Sequence, residues 1–166
     1  MDPGEQKNAL INEVNQARAA VLAAVDKLSS SQVDQVFLGV WNVKDLLAHL
    51  IGWDETNRQA IAELCQSRLP EFYNHIDPVW RSYNALLVAR HRRDNLRLLL
   101  EDLAQSHARL MDAVAALEPQ DISRDWGVRY RGYRVTIARL LQAEARDELV
   151  HARQITDAFG IPADEA

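Results

Sequence analysis

The sequence predicts an all-α four-helix bundle, on three observations. Apolar residues recur every three or four positions along four long segments, the spacing that lines one face of a helix. Only 6 Gly and 5 Pro punctuate 166 residues, too few turn residues for a sandwich or barrel of many short strands. Amphipathic stripes with no sheet to pack on bury themselves most simply against one another. The whole chain, residues 1–166, therefore reads as one domain, with any extended pair confined to residues 127–134.

The first helix covers about residues 5–28, with Leu10, Val14, Ala17, Val21, Val25 and Leu28 on its stripe; Ser29-Ser30-Ser31 ends it. Asn42 is the N-cap expected for the second helix, and Asp45 sits three residues on, where a carboxylate favours the exposed amides of the first turn. Val43, Leu46, Leu47, Leu50, Trp53, Ile61 and Leu64 form its stripe, which fades near Leu69-Pro70. The short first connection makes helices one and two antiparallel neighbours. Asp77-Pro78 reads as a cap followed by proline at the first helical position. A continuous helix from there to residue 117 would be ~60 Å long, so a break is expected at residues 92–95. Beyond it Leu96, Leu99, Leu100, Leu103, His107, Leu110, Val114 and Leu117 share a face, and Pro119 marks the exit. Thr136 caps the last helix, which runs on Ile137, Leu140, Leu141, Ile155, Ala158 and Phe159 to a stop at Gly160. The long path between helices two and three leaves room for a crossover that would set those two parallel.

The net charge of -5 weighs against a nucleic-acid partner. The one cysteine, Cys65, has no partner for an internal disulfide, which fits the cytoplasm. No apolar stretch approaches the ~18 residues of a membrane span, and Met1-Asp2-Pro3-Gly4-Glu5 is not a secretory n-region. Arginine supplies most of the positive charge. Arg124, Arg129, Arg131 and Arg134 fill the aromatic loop before the last helix, where a solvated face and an anion-binding mouth are the two readings.

The informative positions are those where ionisable residues interrupt an apolar stripe. On the last helix, Glu144, Glu148 and His151 point in the direction of Leu140, Leu141 and Ile155, with Asp147 on the flank. Such groups, unpaired in a core, cost several kcal/mol, so they must be paired, hydrated or bound to something. Asp147 and His151 stand four residues apart and can meet one metal ion. If helices two and four are antiparallel, His49 reaches the same level, roughly 10 to 12 Å from one end of the bundle. A partly exposed, hydrogen-bonded histidine is the plainer account of His49. His107 is expected to be a hydrogen-bonded core histidine, with a pocket role behind that. His75, His91 and Cys65 carry no pattern that calls for chemistry.

The run Trp41-Asn42-Val43-Lys44-Asp45-Leu46-Leu47-Ala48-His49-Leu50-Ile51-Gly52-Trp53 resembles the second-helix signature of the DinB/YfiT-like four-helix bundles. Trp53-Asp54-Glu55 is most similar to the ClbS/DfsB branch, and Asp147-Glu148-Leu149-Val150-His151-Ala152-Arg153-Gln154-Ile155 resembles the matching last-helix segment. The resemblance implies an up-down-down-up bundle with a long crossover between helices two and three. It also implies a divalent-metal site of one histidine from helix two and a His-x-x-x-His pair from helix four. His49 and His151 match two of those ligands; Asp147 stands where the third is histidine, a donor that still suits zinc, nickel or manganese while favouring harder ions. Further implications are a low-molecular-weight thiol as co-substrate and a homodimer.

Together these point to a small-molecule pocket at the His49/His151 level, with Trp53, His107 and Trp126 as lining residues and Glu144 or Glu148 as the proton-handling group. The expected activity is a hydrolase or thiol transferase acting on reactive metabolites or toxins. The alternative is a non-catalytic protein that sequesters a small ligand.

Overall fold

The computed structural model describes residues 2–75 and 80–162. It is all-α, with six helices and one two-stranded hairpin among the described residues. Helix α1 runs Pro3–Asp26, α2 is a single turn over Ser30–Val33, and α3 is Val43–Leu64. After a 3₁₀ turn at Glu71–Asn74 come α4 (Arg81–His91) and α5 (Leu96–Ala115); the hairpin pairs β1 (Arg129–Tyr130) with β2 (Tyr133–Arg134), and α6 is Ile137–Phe159.

The capping chemistry follows the sequence closely. Asn42 and Asp45 form a reciprocal capping box, with side-chain acceptors 3.1 and 3.0 Å from each other's amides. Thr136 caps α6, and Gly160 ends it at φ 62, a left-handed backbone that glycine adopts without a Cβ clash. The chain breaks between α4 and α5 at residues 92–95, where Asn95 caps α5. Three boundaries differ from expectation. Helix α1 ends at Asp26, before the serines, and Ser29-Ser30-Ser31 instead starts α2, because Ser29 and Gln32 form another capping box. Helix α3 stops at Leu64, before Leu69-Pro70, since Ser67 turns left-handed at φ 55. Described α4 begins at Arg81; the expected Asp77-Pro78 start lies outside the described residues.

Two apolar clusters give the helix directions. Leu10 and Val14 of α1 meet Ala60 and Leu64 of α3, Leu110 and Val114 of α5, and Ile137 and Leu141 of α6. At the other end Val21 and Val25 meet Leu46 and Leu50, Leu99 and Leu103, and Ala152 and Ile155. Helices α1 and α6 therefore run parallel, and α3 and α5 run parallel to each other and opposite to them: up, down, down, up. The α4 crossover returns along α3, with Leu87 seated on Gly52. The closest helix pairs are α1 with α6 and α3 with α5. The antiparallel α1–α3 pair expected as neighbours sits across the bundle instead, because residues 27–42 are long enough to cross an end.

The clusters are separated by a polar layer at mid-height. Arg18 lies between Ala17 and Val21 on α1, Asp54 and Asn57 between Ile51 and Ala60 on α3, and Ser106 between Leu103 and Leu110 on α5; all four are buried. On α6 the same level carries Glu144 and Glu148, also buried. Every long helix thus interrupts its apolar stripe at one height.

Candidate metal centre

Arg18 holds the polar layer together. Its Nε and Nη2 donate to the two Glu148 oxygens at 2.8 and 2.7 Å, while Nη1 and Nη2 donate to the Asp54 carboxylate at 3.1 and 2.9 Å. Ser106 Oγ adds a 2.6 Å bond to Asp54. These charge-assisted contacts tie α1, α3, α5 and α6 at one level. Burial alone would lower the Arg18 pKa, but Glu148 and Asp54 raise it above its ordinary value. Burial pushes the Glu148 carboxyl up against the opposing pull of Arg18. Asn57 Nδ2 donates to Glu144 Oε2 at 3.0 Å. Burial, then the neighbouring Glu148 and Asp54, push the Glu144 pKa well above the ordinary carboxylate value.

One turn away, His49, Asp147 and His151 converge, with ligand atoms all within 4.8 Å of one another. Asp147 Oδ2 lies 3.2 Å from His151 Nε2 and 3.7 Å from His49 Nε2. The antiparallel run of α3 and α6 produces this meeting. His49 is only 2% exposed, and neither of its ring nitrogens makes a hydrogen bond. Buried His151 Nε2 makes none either, whereas His151 Nδ1 donates to Gln154 Oε1 at 2.7 Å. Two imidazole nitrogens and a carboxylate oxygen, each about 2.1 Å from one tetrahedral ion, would stand about 3.4 Å apart. The two separations from Asp147 bracket that value, and the longer one exceeds a hydrogen bond. The residues therefore fit a divalent ion: His49, Asp147 and His151 would hold it, and Gln154 would set the His151 ring orientation.

The charges agree. Burial pushes the His49 imidazole below its ordinary pKa, despite Asp147. At His151 burial acts the same way, but Asp147 outweighs it and the pKa is raised. Burial of Asp147 is likewise outweighed by the two imidazoles, which hold its carboxyl well below the usual range.

His49 and Asp147 open onto a cavity of about 410 Å³. Its floor carries Asn57 and Glu144; Leu140 and Ala143 of α6 close one side, and Trp53, Phe72, Tyr73 and Trp80 form an aromatic wall, with Asn84 beside them. Trp53 Nε1 donates to Asn84 Oδ1 at 2.9 Å, which fixes the indole.

The structure thus brings together His49, Asp147, His151, Glu144 and Trp53. Glu148 is 0% exposed and faces Arg18 rather than the cavity. His107 stands apart on α5, where its Nε2 lies 2.8 Å from Asn15 Oδ1, and Trp126 packs in the lower cluster under the Arg124 guanidinium. The loop arginines are engaged within their own loop: Arg129 and Arg134 face Asp125, Arg124 pairs with Asp121, and Arg131 covers Tyr130. Sequence reasoning missed Arg18, Asn57 and Ser106. Their signal was a polar residue on the inward face of α1, α3 and α5 at the height of Glu148.

Fold and site define an up-down-down-up helical bundle with a His–Asp–His cluster between its second and last long helices. Residues 14–156 match the family described as mycothiol maleylpyruvate isomerase N-terminal domain, and the chain belongs to that family, within the DinB/YfiT-like superfamily. Among solved structures, that of an uncharacterised protein from Escherichia coli UTI89 is similar at a TM-score of 0.69 and 13% identity, covering 93% of this chain and 92% of that one. That likeness shows the shared fold. No curated protein matches the chain.

Proposed function

We propose that this protein is a divalent-metal-dependent thiol transferase that joins a low-molecular-weight thiol of the mycothiol kind to a small electrophile, or rearranges the electrophile through such an adduct. One observation carries the reading: two buried imidazoles without hydrogen bonds at their Nε2 atoms converge with Asp147 beside an open cavity that His49 and Asp147 line. Between the expected chemistries, hydrolysis and thiol transfer, the family's description names mycothiol and so favours the one that uses a thiol. The ClbS/DfsB likeness rests on Trp53-Asp54-Glu55, whose acids are engaged structurally, Asp54 by Arg18 and Glu55 by Arg58 and Arg109. The free Cys65 thiol supports a reducing, cytoplasmic setting.

A bound divalent ion supplies Lewis acidity that lowers the pKa of a thiol or water at neutral pH. The chain supplies the rest. Gln154 orients His151 through Nδ1, and the capped start of α3 fixes His49 opposite it. Glu144, held by Asn57 at Oε2, lies on the cavity floor and keeps its proton to higher pH than an ordinary carboxylate. In that protonated form it is placed to give a proton to the product, and its conjugate base, once formed, to take one from the next thiol.

The test follows loss of free mycothiol with 1-chloro-2,4-dinitrobenzene, a neutral electrophile from which the thiolate sulfur displaces chloride. Zinc-loaded protein accelerates the loss over many turnovers, and His49→Ala and His151→Ala return it to the uncatalysed rate. A single equivalent consumed per chain, unaffected by His49→Ala, would favour the sequestering protein instead.

A further inference from the structure

The chemistry of the cavity wall narrows the substrate, on the reading above that this cavity is where substrate sits. Among the described residues no lysine or arginine lines it. Beside the Tyr73 phenol, its ionisable residues are His49, Glu144 and Asp147, two of them carboxyl-bearing. The opposite wall is built of rings at contact distance: Trp53 meets Phe72 edge-on at 5.5 Å, Phe72 stacks on Tyr73 at 4.2 Å, and Trp80 stands 5.7 Å from Phe72. All four are only partly buried, so ring surface remains to be covered. Trp80 is held in the left-handed region at φ 59, a conformation rare for a bulky residue that persists where the surroundings impose it.

Ring faces carry negative electrostatic potential and attract flat apolar or cationic groups. A carboxylate entering the same space would lose hydration with no cationic side chain to replace it. We propose that the part of the substrate lying against Trp53, Phe72, Tyr73 and Trp80 is a flat, unsaturated ring system bearing no carboxylate, neutral or positively charged. This separates the protein from enzymes that clamp an acidic substrate with arginine.

The experiment compares two ligands with the same ring, N-methylquinolinium and quinoline-4-carboxylate, by calorimetric titration of the full chain. A chelator is present, so that no ion recruits the carboxylate, and ~0.15 M salt screens the net charge of the protein. N-methylquinolinium is expected to bind at least tenfold more tightly. Trp80→Ala weakens it about tenfold with the helical circular dichroism unchanged, and Leu140→Arg, which adds a cation to the wall, reverses the preference. Equal or tighter binding of quinoline-4-carboxylate, or no binding of either ligand below millimolar, overturns the proposal. Zinc uptake is scored separately: a zinc site without the ring preference defeats this inference alone, and the ring preference without a zinc site defeats the metal reading alone.

Discussion

The Arg18 guanidinium lies against the Glu148 carboxylate with both side chains at most 3% exposed, and the same guanidinium closes on Asp54 across the bundle. Removing one member of such a buried group leaves the others charged and unpaired, at a cost of about 3–5 kcal/mol. Arg18→Met should therefore lower the urea-derived stability at pH 7 by about that amount. The loss should shrink toward pH 5, because protonation neutralises the stranded Glu148, whose carboxyl burial already pushes up. A loss under about 1 kcal/mol, the range of an exposed pair, would contradict this.

Gln154 accepts from His151 Nδ1 at 2.7 Å, beyond the ligand atoms themselves. Groups in this position typically contribute roughly 10–100-fold to metal affinity. Gln154→Ala should weaken zinc binding by that factor, while Gln154→Glu should retain it. Equal affinities for the wild type and Gln154→Ala would show that the ring is oriented by packing alone.

Metal binding should also depend on pH, with a sign set by His151. Its pKa is raised through Asp147, so below that pKa a proton must leave before an ion can bind. Zinc affinity should rise with pH through a midpoint above 6.5, the ordinary histidine value, and then level off. His49, shifted down, and Asp147, shifted far down, have already lost their protons there. For folding without metal the sign is opposite: the stability contributed by charged His151 is present below pH 6.5 and lost as pH rises through the raised value. Calorimetry in buffers of different ionisation heat counts the released proton. Affinity that is flat between pH 6 and 8 would refute the coupling.

Gly52 sits where α4 crosses α3. A Cβ built there would lie 2.6 Å from Leu87 Cβ, an atom that no side-chain rotation removes. Alanine would gain up to ~1 kcal/mol of helix propensity but overpack the contact by ~1–3 kcal/mol or more. Gly52→Ala should destabilise the fold, and by shifting Asn84, which holds the Trp53 indole, it should also weaken ligand binding in the cavity. An unchanged melting temperature would mean that α4 rides freely over α3.

Much of this architecture is written in local sequence, and the reasons are visible residue by residue. The Asn42/Asp45 box, Thr136 and Gly160 are short-range devices, so the ends they fix are readable without a fold. His49 and His151 are legible because histidines on a leucine-rich stripe break a pattern. Arg18 is not, since its long stem lets an arginine on a stripe reach solvent, and only the arrival of Asp54 and Glu148 from other helices keeps it inside. A phase error of one residue separates His107 from Ser106: both lie near the α5 stripe, and the small hydroxyl takes the inward position because Asp54 Oδ2 lies 2.6 Å away. The cavity wall draws on Phe72, Tyr73 and Trp80, which lie outside the long helices, where periodicity carries no signal.

The central claim is that His49, Asp147 and His151 form one metal site, and calorimetric titration of tag-free protein with zinc tests it most directly. The account predicts a single saturable site per chain, tighter for Asp147→His, whose third imidazole suits a softer ion, and absent in His151→Ala. No saturable binding tighter than micromolar with zinc, nickel or manganese would contradict it.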